Sequence, residues 1–128
     1  MTQEEKNVEI AKMLGWEELN WDSPPKCKVW NPDMHHPHAF TPQDELEFHS
    51  DANWQFEALD WLEQQGYLFT IDGHFIGLQA YKDRKMSYWA YINTHNDVEI
   101  LSTDYLPTRK EAIFEALYQF SQYIKDKK

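Results

Sequence analysis

The chain has 128 residues and a mass of 15.4 kDa, which is the size of one compact domain covering residues 1–128. Apolar residues make up 41% of the chain and aromatic residues 16%, so we expect a packed core and not a disordered chain. The single cysteine, Cys27, excludes an internal disulfide and a cysteine-based zinc finger. The charged N-terminal segment lacks an apolar signal core, and no apolar run approaches the roughly 18 residues that span a bilayer. We therefore expect a cytoplasmic protein.

The net charge is −10, from 22 acidic and 12 basic residues, and it is concentrated in the first half of the chain. Residues 1–66 hold 14 acids and 4 bases, whereas residues 67–128 hold 8 of each. No Lys or Arg lies between Lys28 and Lys82. Such a surface repels nucleic-acid phosphates and attracts basic protein surfaces, although solubility alone also explains many acidic domains.

The N-terminal third divides into a helix and a long segment without regular periodicity. Thr2 and Glu5 form a capping-box pattern and Gly15 is a stop signal, which together predict a helix over 1–15. Residues 16–49 carry five of the six prolines and three large tryptophans, Trp16, Trp21 and Trp30. This composition predicts a long ordered loop that packs on the core through its tryptophans.

Two further helices are predicted from apolar stripes that lie between capping signals. The first covers 50–66 and ends at Gly66, and the second covers 108–125 and begins with a capping-box pattern at Thr108 and Glu111. The stripe residues are Trp54, Ala58, Trp61 and Leu62 in the first helix, and Ala112, Ile113, Ala116, Leu117, Phe120 and Ile124 in the second.

Residues 67–102 predict an antiparallel sheet. Strands are expected at 67–71 and 74–81, joined by a tight Asp72-Gly73 hairpin turn, because Asp-Gly between apolar segments favours such turns. A third strand is expected at 86–93 and a short fourth one at 98–101. The order of elements predicts an α+β fold in which helices pack on an antiparallel sheet of three to four strands.

Three local patterns occur in a characteristic order: a short helix ending in Gly-Trp at 10–16, a polar-to-apolar helix before a strand at 50–66, and a Thr-Arg start with Glu-Ala at 108–113. In this order they resemble the phage ABA-sandwich domain family, small proteins encoded mostly by bacteriophages and prophages. The resemblance implies a three-layer α/β/α sandwich and a place in the cytoplasm of an infected bacterial host. It implies no catalytic residues, and segment 16–49 has no counterpart in it.

The candidate partner-binding residues are acids in and around the second helix. They are Asp44, Glu45, Glu47, Asp51, Glu57, Asp60 and Glu63. If these carboxylates line one face, they imitate a row of phosphates and bind a Lys- and Arg-rich groove through charge alone. With the family resemblance, this predicts a non-catalytic, anti-CRISPR-like inhibitor that binds a basic host protein, for example a nucleic-acid-binding defence effector. Direct binding to nucleic acid or membranes is not expected, and the default alternative is a solvated acidic face.

A second hypothesis is a protein that sequesters small nucleotide immune signals. Its ligand-binding residues would be Lys82, Arg84, Lys85, Trp89 and Arg109. Aromatic rings with nearby bases hold nucleotides by stacking and phosphate contact, and such a pocket could also form between copies in a homo-oligomer. The alternative is a polar turn and a helix start beside core aromatics.

Segment 33–38 contains an aspartate and three histidines, at His35, His36 and His38. Imidazole and carboxylate groups suit Zn, Ni or Cu, but the spacing matches no established metal motif, so metal binding at this cluster stays open. Cys27 lies between two lysines that favour a reactive thiolate, yet nothing fixes a histidine beside it. No cofactor is predicted, and we do not expect an enzyme.

Overall fold

The computed structural model describes residues 1–21, 27–30, 41–75 and 86–127. Within these residues it has three α-helices, six strands and a short 3-10 helix at Gln43–Glu45. The helices are α1 Gln3–Met13, α2 Ala52–Gln64 and α3 Arg109–Lys127. The strands are β1 Leu19–Trp21, β2 Cys27–Trp30, β3 Thr41–Pro42, β4 Tyr67–Phe75, β5 Met86–Thr94 and β6 Glu99–Ser102. Helices packed on an antiparallel sheet confirm the predicted α+β class.

The three helices begin where the capping signals predict them. The Thr2 hydroxyl accepts a hydrogen bond from the Glu5 backbone N–H at 3.2 Å and donates to the Glu5 carboxylate at 3.1 Å. At the start of α3, the Thr108 hydroxyl accepts from the Glu111 N–H at 3.1 Å. Both contacts satisfy N–H groups that the first turn of a helix leaves unpaired. Gly66 follows α2 with a φ of +92°, a conformation that glycine adopts without steric penalty.

The main sheet has the order β4-β5-β6, with both pairs antiparallel. Strand β4 runs without interruption through Asp72 and Gly73, which lie opposite Trp89 and Tyr88 of β5. The predicted Asp72-Gly73 hairpin is therefore wrong, and β4 pairs with β5 along its whole length. His74 belongs to β4, and the rest of the strand predicted at 74–81 falls mostly outside the described residues.

A close approach between side chains and backbone explains why glycine stands in the middle of β4. A Cβ atom on Gly73 would lie 2.7 Å from the Met86 sulfur and 3.1 Å from a ring carbon of Tyr88. Two side chains of β5 thus pass over the Gly73 backbone, which is a recognised reason for glycine inside a strand. The glycine marks crowding from the neighbouring strand and not a turn.

Segment 16–49 is not the uniform loop that its prolines predict. It contains a second antiparallel sheet with the order β1-β2-β3, in which Leu19 lies opposite Val29 and Val29 opposite Pro42. Proline lacks an N–H but is tolerated in an edge strand, which is the position of β3 in this sheet. Trp16 packs in the core as predicted. The packing predicted for the Trp21 and Trp30 side chains stays a prediction, because the structure describes only the strands to which these residues belong.

The described core consists of two hydrophobic clusters that α2 and α3 both join. One cluster lies between the helices and segment 46–48, and the other lies between the helices and the main sheet. The first contains Ile10, Ala11, Trp16, Leu46, Phe48, Trp54, Ala58, Phe114 and Leu117. The second contains Leu62, Ala90, Ile92, Ala112, Ala116 and Phe120. The helices thus cover the sheet face of Ala90 and Ile92, and a third layer on the opposite face stays a prediction.

Candidate functional site

Helix α2 divides its residues between an inner and an outer face. Trp54, Ala58 and Leu62 are buried and recur at the spacing of one helical face. Asp60 and Glu63 are exposed on the other side, where they cannot contact the core. The sequence pattern predicted these five positions correctly, because the 3.6-residue period of a helix fixes which side chains share a face. Trp61, predicted in the same apolar stripe, is only half-buried and lines the outer face as well.

The outer face of α2 forms a shallow groove of about 490 Å3. Its described lining follows helical spacing and consists of Asn53, Phe56, Glu57, Asp60, Trp61 and Gln64. We call this feature the α2 groove. It brings together two of the predicted acids, Glu57 and Asp60, beside two aromatic rings.

Four groove residues were not predicted as site residues, namely Asn53, Phe56, Trp61 and Gln64, and Phe56 is the strongly exposed apolar one among them. Its side chain is 56% exposed, although phenylalanine at a helix position normally indicates core. A signal was present in the sequence, because Phe56 lies two residues after Trp54 and therefore about 200° around the helix from that buried position. Trp61 is half-buried, and its ring lies 6.5 Å from that of Phe120 between centroids, so one side of the indole is held by α3.

Four of the seven predicted acids lie before α2, namely Asp44, Glu45, Glu47 and Asp51. Asp44, Glu45 and Glu47 are exposed on the 3-10 helix and the residues after it. This segment is tied to α1, because the Gln43 side-chain amide donates to the Glu4 carboxylate at 2.9 Å. Asp44, Glu45 and Glu47 together are the 44–47 acids below.

Asp51 differs from the other acids because it has a structural role. One of its carboxylate oxygens accepts hydrogen bonds from the backbone N–H groups of Asn53 at 2.8 Å and Trp54 at 3.3 Å. Negative charge at this position also interacts favourably with the helix dipole. Asp51 is therefore the N-cap of α2, and its negative charge stabilises the first turn of that helix.

Most of the predicted acids do not take part in the ion pairs between described residues. They join Lys6 to Glu115 at 2.9 Å, Lys125 to Glu9 at 3.6 Å and Lys12 to Glu9 at 3.8 Å. These pairs lie on α1 and α3. The 44–47 acids, Asp60 and Glu63 belong to none of them. Their negative field is therefore not cancelled by a described cation.

The alternative nucleotide site is not assembled among the described residues. Lys82, Arg84 and Lys85 lie outside them. The ring of Trp89 packs 4.7 Å from that of Tyr91 between centroids, on the sheet face opposite the helices. The exposed guanidinium of Arg109 lies 5.5 Å from the Tyr88 ring centroid.

Trp89 and Arg109 do not share a pocket. Neighbouring residues of a strand point to opposite faces, and Tyr88 belongs to the cluster on the helix-covered face. Arg109, stacked on Tyr88, is thus on one side of β5, while Trp89 is on the other. The structure separates the two described members of the predicted ligand set.

The histidine cluster at His35, His36 and His38 lies outside the described residues. The described part of the chain holds no group of three or more His, Cys, Asp or Glu side chains that could bind a metal ion. His49 is instead engaged in the fold, with its Nδ1 atom 2.9 Å from the side-chain nitrogen of buried Asn7. Its ring also lies 6.0 Å from that of Phe114 between centroids.

Comparison with known proteins finds no matching family model, no matching curated protein and no matching solved structure. The resemblance to the phage ABA-sandwich domain family therefore stays a prediction. Among the described helices, none combines the length and apolar character needed to cross a membrane.

Proposed function

We propose that this protein is a non-catalytic binding protein that docks on a basic protein surface. The docking surface would comprise the α2 groove, Glu63 and the 44–47 acids. The observation that carries the proposal is the outer face of α2, where two carboxylates line the same groove as an exposed aromatic ring that is not part of the core. Exposed aromatic side chains in a polar rim are typical anchors of protein interfaces.

Charge supports a basic partner. The whole chain carries a net charge of −10, and all of this excess lies in residues 1–66. Such a field accelerates encounters with cationic surfaces and opposes contact with phosphates. A Lys- and Arg-rich groove that normally binds nucleic acid has the complementary charge.

In its specific form, the proposal is an inhibitor of a bacterial defence system in the cytoplasm of an infected host. That form rests on the phage-family resemblance. An acidic protein that occupies the nucleic-acid groove of a defence effector prevents the effector from binding nucleic acid, and this inhibition requires no catalysed reaction. The sequestration of small nucleotides has less support, because the described members of its ligand set lie on opposite sides of β5.

The test begins with capture of a partner from bacterial lysate by the full chain, followed by titration of the purified partner. Charge reversal at Asp60→Lys with Glu63→Lys should weaken the affinity about 100-fold, because two attractive contacts become repulsive. The matched control is Glu99→Lys with Asp104→Lys, which changes the net charge equally at exposed positions on and just after β6. The control should change the affinity less than about threefold, since neither position belongs to the proposed docking surface and salt weakens long-range charge effects.

A second pair, Glu45→Lys with Glu47→Lys, tests whether the 44–47 acids belong to the same surface. It should also weaken binding, and an excess of DNA should compete with the protein for the captured partner. Unchanged affinity in both reversal pairs, with circular dichroism showing intact folding, would rule out the acidic docking surface. So would a captured partner that is acidic at its contact surface.

A further inference from the structure

Phe56 is exposed at a position where folding gains little from a phenylalanine. More than half of its surface contacts solvent, so most of the free energy available from burying the ring is not realised within the chain. At an exposed helix position alanine, lysine or glutamate would stabilise the helix more than phenylalanine, because these residues have higher helix propensity. The ring is therefore a candidate for contact with another molecule.

Polar side chains lie before and after Phe56 along the outer face of α2. Residues four apart on a helix are neighbours, so Asp60 lies beside Phe56 on the outer face, and Gln64 follows one turn later. Asn53 lies one turn before Phe56. All four line the α2 groove, in which Phe56 and Asp60 offer an aromatic ring and a carboxylate one helical turn apart, while Asn53 and Gln64 lie toward its two ends.

We propose that the α2 groove binds arginine side chains of a partner protein, and binds them in preference to lysine. This inference rests on the proposed function, because it specifies which basic residue the acidic surface recognises. A guanidinium is planar, so it can stack on the Phe56 ring while its edge donates two hydrogen bonds to the Asp60 carboxylate. A lysine ammonium is a compact charge and cannot make the stacked and the paired contact with comparable geometry.

The occupant is therefore an arginine-rich protein segment. Charge complementarity selects a cationic segment, and the ring beside the carboxylate selects arginine within that class. Gln64, one turn after Asp60, adds a side-chain carbonyl oxygen that can accept a hydrogen bond from a further guanidinium N–H group. Arginine-rich segments are also common where proteins bind nucleic-acid phosphates, which agrees with the partner class proposed above.

The test uses two synthetic peptides of equal length, spacing and charge, one with arginine and one with lysine at every cationic position. Fluorescence anisotropy with the full-length protein should show the arginine peptide binding about tenfold more tightly. Phe56→Leu keeps an apolar side chain but removes the ring, so it should weaken the arginine peptide more than the lysine peptide and reduce the preference to less than about twofold. The control is Val98→Ala at another exposed apolar position, 60% exposed, which should leave the preference intact.

The outcomes separate this inference from the proposed function. Equal affinity for both peptides, with binding still lost in the Asp60→Lys, Glu63→Lys variant, overturns arginine selectivity and leaves the acidic docking surface standing. A preference that persists in Phe56→Leu overturns the stacking role of the ring. Failure of both peptides to bind at low salt overturns the inference and argues against the docking surface as well.

Discussion

Gln55 holds α2 against two other parts of the chain, and its loss should be costly. The side chain is 1% exposed, and its Nε2 group donates to the Phe48 carbonyl at 2.9 Å and to the Lys110 carbonyl at 3.0 Å. The first bond fixes the segment that precedes α2, and the second fixes the first turn of α3. A single amide group therefore joins α2 both to the segment just before it and to α3, 55 residues further along the chain.

Gln55→Met tests this contact, because methionine is unbranched and of similar length but donates no hydrogen bond. Each bond contributes about 1 kcal/mol net, and a carbonyl left buried without a donor costs about 1–3 kcal/mol. The free energy of unfolding should fall by about 2–4 kcal/mol. For a chain of this size each 1 kcal/mol lowers Tm by about 3–5 °C, so Tm should fall by about 10 °C.

The assay is thermal and urea unfolding followed by circular dichroism, with Gln65→Met as the control. Gln65 is exposed just after α2, and its substitution should change stability by less than about 0.5 kcal/mol. The urea m-value should stay constant, because the native surface is unchanged. A Gln55→Met variant as stable as the control would refute the view that this amide joins the three elements.

Two further substitutions test other hydrogen bonds of the fold. The Ala90 N–H donates to the Thr103 hydroxyl at 3.0 Å, so Thr103→Val should lower stability by about 1–3 kcal/mol and accelerate hydrogen exchange at the Ala90 amide. If the Ala90 amide stays protected from exchange in this variant, the Thr103 hydroxyl is not the acceptor that protects it. Asp51→Ala should lower stability by about 1 kcal/mol through loss of the N-cap of α2, measured by urea unfolding. Its partner affinity should change less than about threefold, and a larger loss would place Asp51 in the docking surface.

The helices were predictable from the sequence because their signals are local. Thr2, Asp51 and Thr108 each satisfy N–H groups within three residues, and the apolar stripes lie within single helices. The same local reasoning failed at Gly73. The reason for that glycine is the Met86 and Tyr88 side chains on the next strand, and pairing between strands is not encoded at one position.

The second sheet was missed for a related reason. Strands of two to four residues carry too little alternation to be distinguished from a loop, and the prolines of segment 16–49 favour the loop interpretation. The candidate site was predicted in part. The acids of α2 were found from composition and helical phase, whereas the location of Asp44, Glu45 and Glu47 relative to them depends on tertiary contacts that no local pattern supplies.

The two faces of α2 give the proposed site a property that acidic composition alone does not. The inner face is fixed by Trp54, Ala58 and Leu62 in two clusters, and Gln55 adds buried hydrogen bonds to flanking elements. The backbone that carries Phe56 and the groove carboxylates is therefore ordered before any partner arrives. Binding to a preorganised surface avoids the entropy loss that a flexible acidic tail would incur, so more of the contact free energy appears as affinity. This is why the outer face of α2, rather than the total negative charge, is the feature on which the proposed recognition depends.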